Sequence, residues 1–153
     1  MFLRKVALFI FLFCFVLGCK ANAKYRLLNV GDSTHIEVKA NKHFTHTGIK
    51  ILKGASYRII AAGTWRDAGF EPTDAGGFPP KNAAMRFARF LQPDCKENYM
   101  KLVAKVGNHH WPIGTGAAIH FKRKGNLVLQ PNDATFFFGN NSGTLSVTII
   151  RVE

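Results

Sequence analysis

Apolar and polar residues alternate along several short segments after residue 24, a pattern typical of half-buried β-strands. Ile36 and Val38 alternate with polar neighbours, and Leu145, Val147 and Ile149 do so near the C-terminus. Other short apolar segments, separated by turn residues, are "HTGIKILKG", "YRIIAAGTW", "YMKLVAKVG", "AAIHFKRKG" and "GNLVLQ". Many short strands with frequent turn signals predict an all-β sandwich or barrel.

The segment from Ile49 to Trp65 predicts a β-hairpin. Ile49 and Ile51 fall on one face of the first strand, with Lys50 and Leu52 opposite, and "KGAS" forms a turn before "YRIIAAGTW". Two alternating segments joined by a short Gly-containing turn are the usual signal for antiparallel neighbours.

Residues 66–98 interrupt this pattern. The part "RDAGFEPTDAGGFPPKN" is rich in Gly, Pro and Asp, and long loops of this kind in compact domains are usually functional or mobile. The following "NAAMRFARFLQP" fits either a short helix capped by Asn82 or a strand. The helix would place on one face Ala84, Phe87 and Leu91, and the strand would place on one side Met85, Phe87 and Arg89.

The first 23 residues have the composition of an export signal. Arg4 and Lys5 precede the 13-residue apolar run "VALFIFLFCFVLG", which is short for a membrane span. The sequence "VLGC" resembles a bacterial lipobox, in which Cys19 is lipidated and becomes the mature N-terminus, whereas "ANA" permits ordinary cleavage after Ala23. We therefore predict a signal peptide (1–23) and one exported domain (24–153), either secreted or held at the membrane by a lipid anchor alone.

Cysteine content excludes an internal disulfide in the mature domain. Either cleavage removes Cys14, and Cys19 is lipidated or lost, which leaves Cys95 alone. A single thiol with no partner motif is expected to be a surface or half-buried residue without a catalytic role.

The chain is strongly basic, with a formal charge of +12 from 21 Lys and Arg against 9 Asp and Glu. Cleavage after Ala23 leaves 18 basic residues against the same 9, a charge of +9. Such a balance favours contact with anionic surfaces. The basic residues are scattered, and only Lys122, Arg123 and Lys124 form a cluster. Because no RNP-like, zinc-finger or helix-turn-helix pattern occurs, specific nucleic-acid binding is not expected.

No catalytic framework is recognisable, so we predict that the chain is not an enzyme. No HExxH or CxxC spacing accompanies the histidines, which are expected to lie on the surface. They are His35, His43, His46, His109, His110 and His120.

The segment "PNDATFFFGNNSG" (131–143) combines three phenylalanines with turn-forming residues. Asn and Gly favour a hairpin turn with positive φ. The side-chain oxygens of Asp133, Asn140 and Asn141 are equally the hard donors that a calcium ion prefers. The residues alone leave both interpretations open, and they require at least one of the three phenylalanines to anchor the loop in the core.

The order of motifs along the chain bears on the choice between a hairpin turn and a calcium site. The segment "GTW" before an acidic loop, followed by "VGN", "IGTG", "GNLVLQPND" and "NNSGTLSVTI", resembles the PA-IL-like family of calcium-dependent, galactose-binding bacterial lectins. The resemblance extends from about Ile36 to Val152. It implies a jelly-roll-like, galactose-binding-domain-like β-sandwich that holds one Ca²⁺, with the hydroxyls of a bound sugar completing the coordination of the ion.

The resemblance also implies ligands by position. Asp133 begins the calcium loop, the Phe137 carbonyl follows at +4, and Asn140 and Asn141 follow at +7 and +8. A further ligand comes from the loop after "AAG": the carbonyl of Asp67 or Ala68, or the carboxylate of Asp67. The implied sugar-contacting residues are Asp133, Ala134 and Asn140.

The long loop departs from the family. Galactose-binding members contact sugar there through a histidine and a glutamine, and "GFEPTDAGGFPPKN" contains neither. The residues that would substitute are Glu71, Thr73, Asp74 and Lys81. The resemblance thus implies glycan binding through calcium, whether of galactose or of another sugar, with homo-oligomers as one way to multiply the sites. The alternative is a non-catalytic interaction module that binds protein or anionic envelope surfaces through its basic face.

Overall fold

The computed structural model describes residues 25–153; the predicted signal peptide, both cleavage sites and the lipidation site Cys19 lie outside these residues. Eight strands follow one another, with a short helix between the third and fourth. The strands are β1 (Ser33–Lys39), β2 (Thr45–Ile51), β3 (Ser56–Arg66), β4 (Leu102–Val106), β5 (His109–Pro112), β6 (Gly116–His120), β7 (Gly125–Pro131) and β8 (Ser142–Arg151). The helix α1 spans Ala83–Ala88, and 3₁₀ turns occupy Arg89–Leu91 and Phe138–Asn140.

The strands form two antiparallel four-stranded sheets. One has the order β1-β8-β3-β6 and the other β2-β7-β4-β5. Each strand except β5 follows a strand of the opposite sheet, so the chain crosses between sheets at nearly every connection. This is the order of an eight-stranded jelly roll. The predicted all-β sandwich is therefore confirmed.

The core lies between the sheets and is built by the alternating residues. Val38 of β1, Ile49 and Ile51 of β2, and Leu145 and Val147 of β8 are fully buried. Each such side chain contributes roughly 1.5–3 kcal/mol on transfer from water. Because successive strand residues point to opposite faces, the period-two pattern is sufficient to identify these inward positions.

The predicted hairpin from Ile49 to Trp65 is wrong. Strand β2 pairs with β7, whereas β3 pairs with β8 and β6 in the other sheet. The short segment 52–55 carries the chain from one sheet to the other. Alternation specifies which face of a strand is buried, but the partner of that strand is chosen by the whole sandwich.

The segment "NAAMRFARFLQP" adopts the helical alternative. The Asn82 side chain accepts a hydrogen bond from the Met85 backbone N–H at 2.8 Å, as an N-cap should. The expected inward face does not form, since α1 has no buried residue and Phe87 is 81% exposed. Six residues are too few to build an amphipathic face of two turns.

Two further observations concern the surface. The Cys95 thiol is free and exposed, as predicted. Within residues 25–153, no helix has the length and apolar character needed to cross a membrane.

Candidate functional site

The pairing register of β3 and β8 brings the first two residues of the site together. Trp65 pairs with Gly143 and Arg66 with Ser142, so the chain leaves β3 at Asp67 beside the residue that precedes β8, Asn141. The close approach depends on Gly143, whose φ is +95° and where an added Cβ would lie 2.7 Å from the Thr64 carbonyl oxygen. A residue with a side chain is disfavoured at that φ.

Asp133 joins this pair from the other sheet. It lies two residues beyond the end of β7 and is 2% exposed. Its Oδ2 accepts a hydrogen bond from Nδ2 of Asn141 at 2.8 Å, and its Oδ1 accepts one from the Ala134 backbone N–H at 2.7 Å. Residues from both sheets therefore meet at one end of the sandwich.

Two carboxyl groups share this buried environment. Burial, together with the negative charge of Asp133, raises the pKa of Asp67 from 3.8 to about 6, while the Asn140 amide favours the ionised form. Burial also raises the pKa of Asp133, although the hydrogen bonds from Asn141 and Ala134 oppose that change. No lysine or arginine of residues 25–153 forms an ion pair with either group. A cation at this position would offset the cost of keeping two neighbouring carboxylates ionised.

Asn141 supplies an oxygen without a partner. The residue is 4% exposed, its Nδ2 donates to Asp133, and its Oδ1 is buried with no hydrogen-bond partner among the described residues. Buried polar atoms are normally satisfied, so an orphaned acceptor beside two carboxylates requires an explanation. A cation with oxygen ligands would provide one, and the mixture of carboxylate and amide donors fits Ca²⁺.

The remaining predicted ligands lie in the same loop. The Phe137 carbonyl accepts a hydrogen bond from the Asn140 backbone N–H at 3.3 Å, which leaves one lone pair for another partner. Asn140 is exposed. The set of Asp67, Asp133, Phe137, Asn140 and Asn141 is called the oxygen cluster below. As expected, the phenylalanine run anchors this loop, because Phe138 is 6% exposed and stacks on His43 with ring centroids 4.6 Å apart.

An open cavity of about 300 Å³ adjoins the oxygen cluster. Asp67, Asp133, Asn140 and Ala134 form its polar side. Its apolar wall comes from the long loop, α1 and the phenylalanine run, and consists of Ala68, Phe70, Ala84, Met85, Ala88, Tyr99 and Phe137. This combination of a few polar groups and an apolar wall is typical of small-ligand sites.

Sequence reasoning missed the residues that hold this wall in place. The Tyr99 hydroxyl donates to the Met85 carbonyl at 2.7 Å and ties α1 to the sandwich. Asn132 is fully buried, and its side chain bonds the backbone of Asp94 and Asn98 at 2.9 Å. The "ND" dipeptide marked Asn132, but nothing local indicated partners 34 or more residues away.

A second cavity of about 310 Å³ shares Phe70 with the first. Three of the four residues considered as substitutes in the long loop line it, namely Glu71, Thr73 and Lys81. Asp74 does not line it, since its Oδ1 accepts from the Gly76 N–H at 2.7 Å within a turn.

The histidines offer no competing metal site. Among residues 25–153, no group of three or more His, Cys, Asp or Glu side chains is placed to hold an ion. The oxygen cluster does not meet this criterion because it contains only two carboxylates; its other oxygens are amide and backbone oxygens.

Comparisons with known proteins agree with the fold. No protein-family model matches the chain, and no curated protein matches it. Among solved structures, the chain is similar to one described as "EclA N-terminal domain; PllA-like lectin", with a TM-score of 0.61 and 24% sequence identity. The match covers 76% of this chain and 94% of that domain. At this identity, the two chains share the β-sandwich fold.

Proposed function

We propose that this protein is a non-catalytic, calcium-dependent carbohydrate-binding protein. The observation that carries the proposal is the oxygen cluster, in which two buried carboxylates and an unpartnered amide oxygen meet beside an open cavity. Its sequence spacing resembles that of PA-IL-like lectins, and the similar solved domain is itself described as a lectin.

In this proposal, Asp133, Asn140, Asn141, the Phe137 carbonyl and Asp67 hold Ca²⁺. Bound calcium supplies coordination positions that sugar hydroxyls can occupy in place of water. Asp133, Ala134 and Asn140 line the cavity, and in this proposal the two side chains and the Ala134 backbone contact those hydroxyls. Charge-assisted hydrogen bonds from hydroxyls to a carboxylate are stronger than neutral ones.

The apolar wall suggests how the sugar is oriented. The side chains of Met85, Phe70 and Phe137 line the apolar part of the cavity. A pyranose ring has one face rich in C–H groups, which packs favourably against aromatic and aliphatic side chains. If two hydroxyls of the sugar are directed to the oxygen cluster, the C–H-rich face of its ring can pack against the apolar wall of the cavity.

Galactose is the first sugar to test. The sugar preference of this protein is expected to depend on its long loop. The long loop lacks the histidine and glutamine of the galactose-binding relatives. Glu71, Thr73 and Lys81 in the adjoining cavity are available to contact a second sugar unit. We therefore expect a disaccharide to bind more tightly than a monosaccharide.

Thermal unfolding of the purified protein tests the proposal. Calcium should raise the melting temperature relative to chelator, because a ligand that binds only the native state stabilises it. Galactose, or another sugar from a glycan array, should raise it further only when calcium is present. Asp133→Asn should abolish both shifts.

The matched control is Glu37→Gln, which removes the same charge from the exposed face of β1. It should keep both shifts. A melting temperature that calcium leaves unchanged in the unmodified protein contradicts the calcium site. A calcium shift without any glycan effect contradicts the lectin function alone.

A further inference from the structure

A large open cavity lies at the opposite end of the sandwich from the oxygen cluster. It is an open groove of about 940 Å³ formed by the β4–β5 turn, β5, the β6–β7 connection and the β2–β3 connection. We call it the basic groove; its residues are Lys53, Val106, Gly107, Asn108, His109, His110, Trp111, His120, Lys122, Arg123 and Lys124.

The charges of the basic groove all have one sign. Lys53 and the run Lys122 to Lys124 contribute four cations from two connections that are distant in sequence, and no acidic side chain lines the groove. The single ion pair of residues 25–153 joins Glu97 and Lys101, so no carboxylate neutralises these cations directly. Like charges gathered in a concave surface focus a positive potential within it.

One acidic group approaches the edge of the groove. Oε2 of Glu153 accepts a hydrogen bond from the Ser56 hydroxyl at 2.7 Å, and that hydroxyl lies 3.1 Å from Nδ1 of His120. The carboxylate is thus engaged with Ser56. The charge of Asp94 also acts on His110, but neither Asp94 nor Glu153 lines the groove, so its four cations leave it positive.

An aromatic ring lies among these charges. Trp111 is half-buried and packs against the fully buried Phe121 in an edge-to-face arrangement, with ring centroids 4.9 Å apart. His109 lies beside it at 6.1 Å. Because Phe121 fixes the indole in place, Trp111 presents a rigid apolar surface inside the basic groove.

We propose that the basic groove is a second binding site, specific for an acidic oligosaccharide that carries sulfate, phosphate or carboxylate groups. The lysines and Arg123 bind the anionic substituents, and Trp111 packs against one sugar ring. A flat lipid surface fits a concave groove poorly. Single-stranded nucleic acid is usually bound by several aromatic platforms in succession, and the basic groove has one tryptophan.

Tryptophan fluorescence provides a direct measurement. The chain has two tryptophans, and Trp65 is 1% exposed in the core, so an added ligand should act on the emission of Trp111. A heparin-derived, fully sulfated tetrasaccharide should change that emission saturably. Its Kd should increase about tenfold or more between about 50 mM and about 500 mM NaCl, because surface charges are screened.

Variants separate the basic groove from general surface charge. Lys122→Ala/Lys124→Ala should weaken tetrasaccharide binding about tenfold, as expected when two phosphate-like or sulfate-like contacts are lost. The matched control, Lys39→Ala/Lys42→Ala, removes the same charge from exposed positions at the other end of the sandwich and should bind normally. Equal weakening by both variants overturns the proposal.

Two further comparisons identify the ligand. The desulfated tetrasaccharide should bind at least about tenfold more weakly, and a chelator should leave binding of the sulfated form unchanged. The assignment to glycans is overturned if a single-stranded oligonucleotide, or phosphatidylglycerol vesicles, bind more tightly than the sulfated tetrasaccharide. Because calcium is not required here, failure of this proposal and failure of the calcium-dependent function are distinguishable.

Discussion

At the scale of single residues, the unusual feature is a group of buried polar side chains that, within residues 25–153, has no basic ion-pair partner and contains one unpartnered oxygen. Asp133 and Asn141 are nearly inaccessible, Asp67 is 8% exposed, and Oδ1 of Asn141 has no partner within residues 25–153. Such groups are costly in a protein interior. Proteins tolerate this arrangement where a ligand later satisfies the groups, which is why these three residues carry the proposed function.

The raised pKa of Asp67 predicts an opposite response to pH with and without calcium. In the unfolded chain the group has its ordinary pKa of 3.8, and in the folded protein the pKa is about 6. The folded state therefore holds the proton more tightly, and the stability that this gives is present at low pH and is lost as pH rises through about 6. With calcium, protons compete with the ion, so stabilisation by calcium should decrease as pH falls below about 6.

Melting temperatures at about pH 5 and about pH 7, in metal-free buffer and in calcium, measure both effects. Asp67→Asn cannot titrate and should lose the pH dependence that belongs to Asp67 in metal-free buffer. Identical pH dependence of the melting temperature in the unmodified protein and in this variant, under both conditions, would mean that Asp67 is not the titrating group.

At the scale of elements, the sequence predicts which face of a strand is buried but not which strand it pairs with. Alternation correctly identified the inward residues of β2 and β8, because a period of two is a local property. It joined β2 to β3 as a hairpin, although their hydrogen bonds go to β7 and β8 in separate sheets. The choice of helix for residues 83–88 depended on the Asn82 cap and on the contact of Tyr99 with Met85, and only the first of these is visible in the sequence.

Gly143 tests how strongly the pairing of β3 and β8 supports the oxygen cluster. A Cβ at this position would meet the Thr64 carbonyl oxygen and the Trp65 Cα at 2.7 Å, and φ is +95°. Gly143→Ala should therefore lower the free energy of unfolding by more than about 1 kcal/mol and weaken the calcium-dependent shift in melting temperature. Urea denaturation measures the first effect.

The control for this substitution is Gly139→Ala. Gly139 lies four residues earlier, in the 3₁₀ turn Phe138–Asn140, where a Cβ has open space and φ is not in the left-handed region. It should change stability by no more than about 0.5 kcal/mol. Comparable losses in the two variants would mean that the loss at Gly143 does not come from the close approach of its Cβ to Thr64 and Trp65.

At the scale of the whole molecule, the jelly roll separates its two candidate sites. The oxygen cluster follows the ends of β3 and β7, whereas the basic groove precedes their beginnings. The resemblance to the lectin family predicted the first site, because most of its residues lie within nine positions of one another, from Asp133 to Asn141, and can be matched as one motif. The basic groove assembles Lys53, Trp111 and Lys122 from three distant segments, and only the cluster at Lys122 is visible in the sequence.

This separation predicts that the two sites act independently. Strand β7 has seven residues, so the sites are about 20 Å or more apart, and perturbations at such distances normally add. Saturating calcium should therefore change the Kd of the sulfated tetrasaccharide by less than about twofold. Asp133→Asn combined with Lys122→Ala/Lys124→Ala should show the sum of the separate losses in unfolding free energy to within about 0.5 kcal/mol. A larger coupling would show that the two ends communicate through the sheets, and the protein would then bind its two ligands as one linked system.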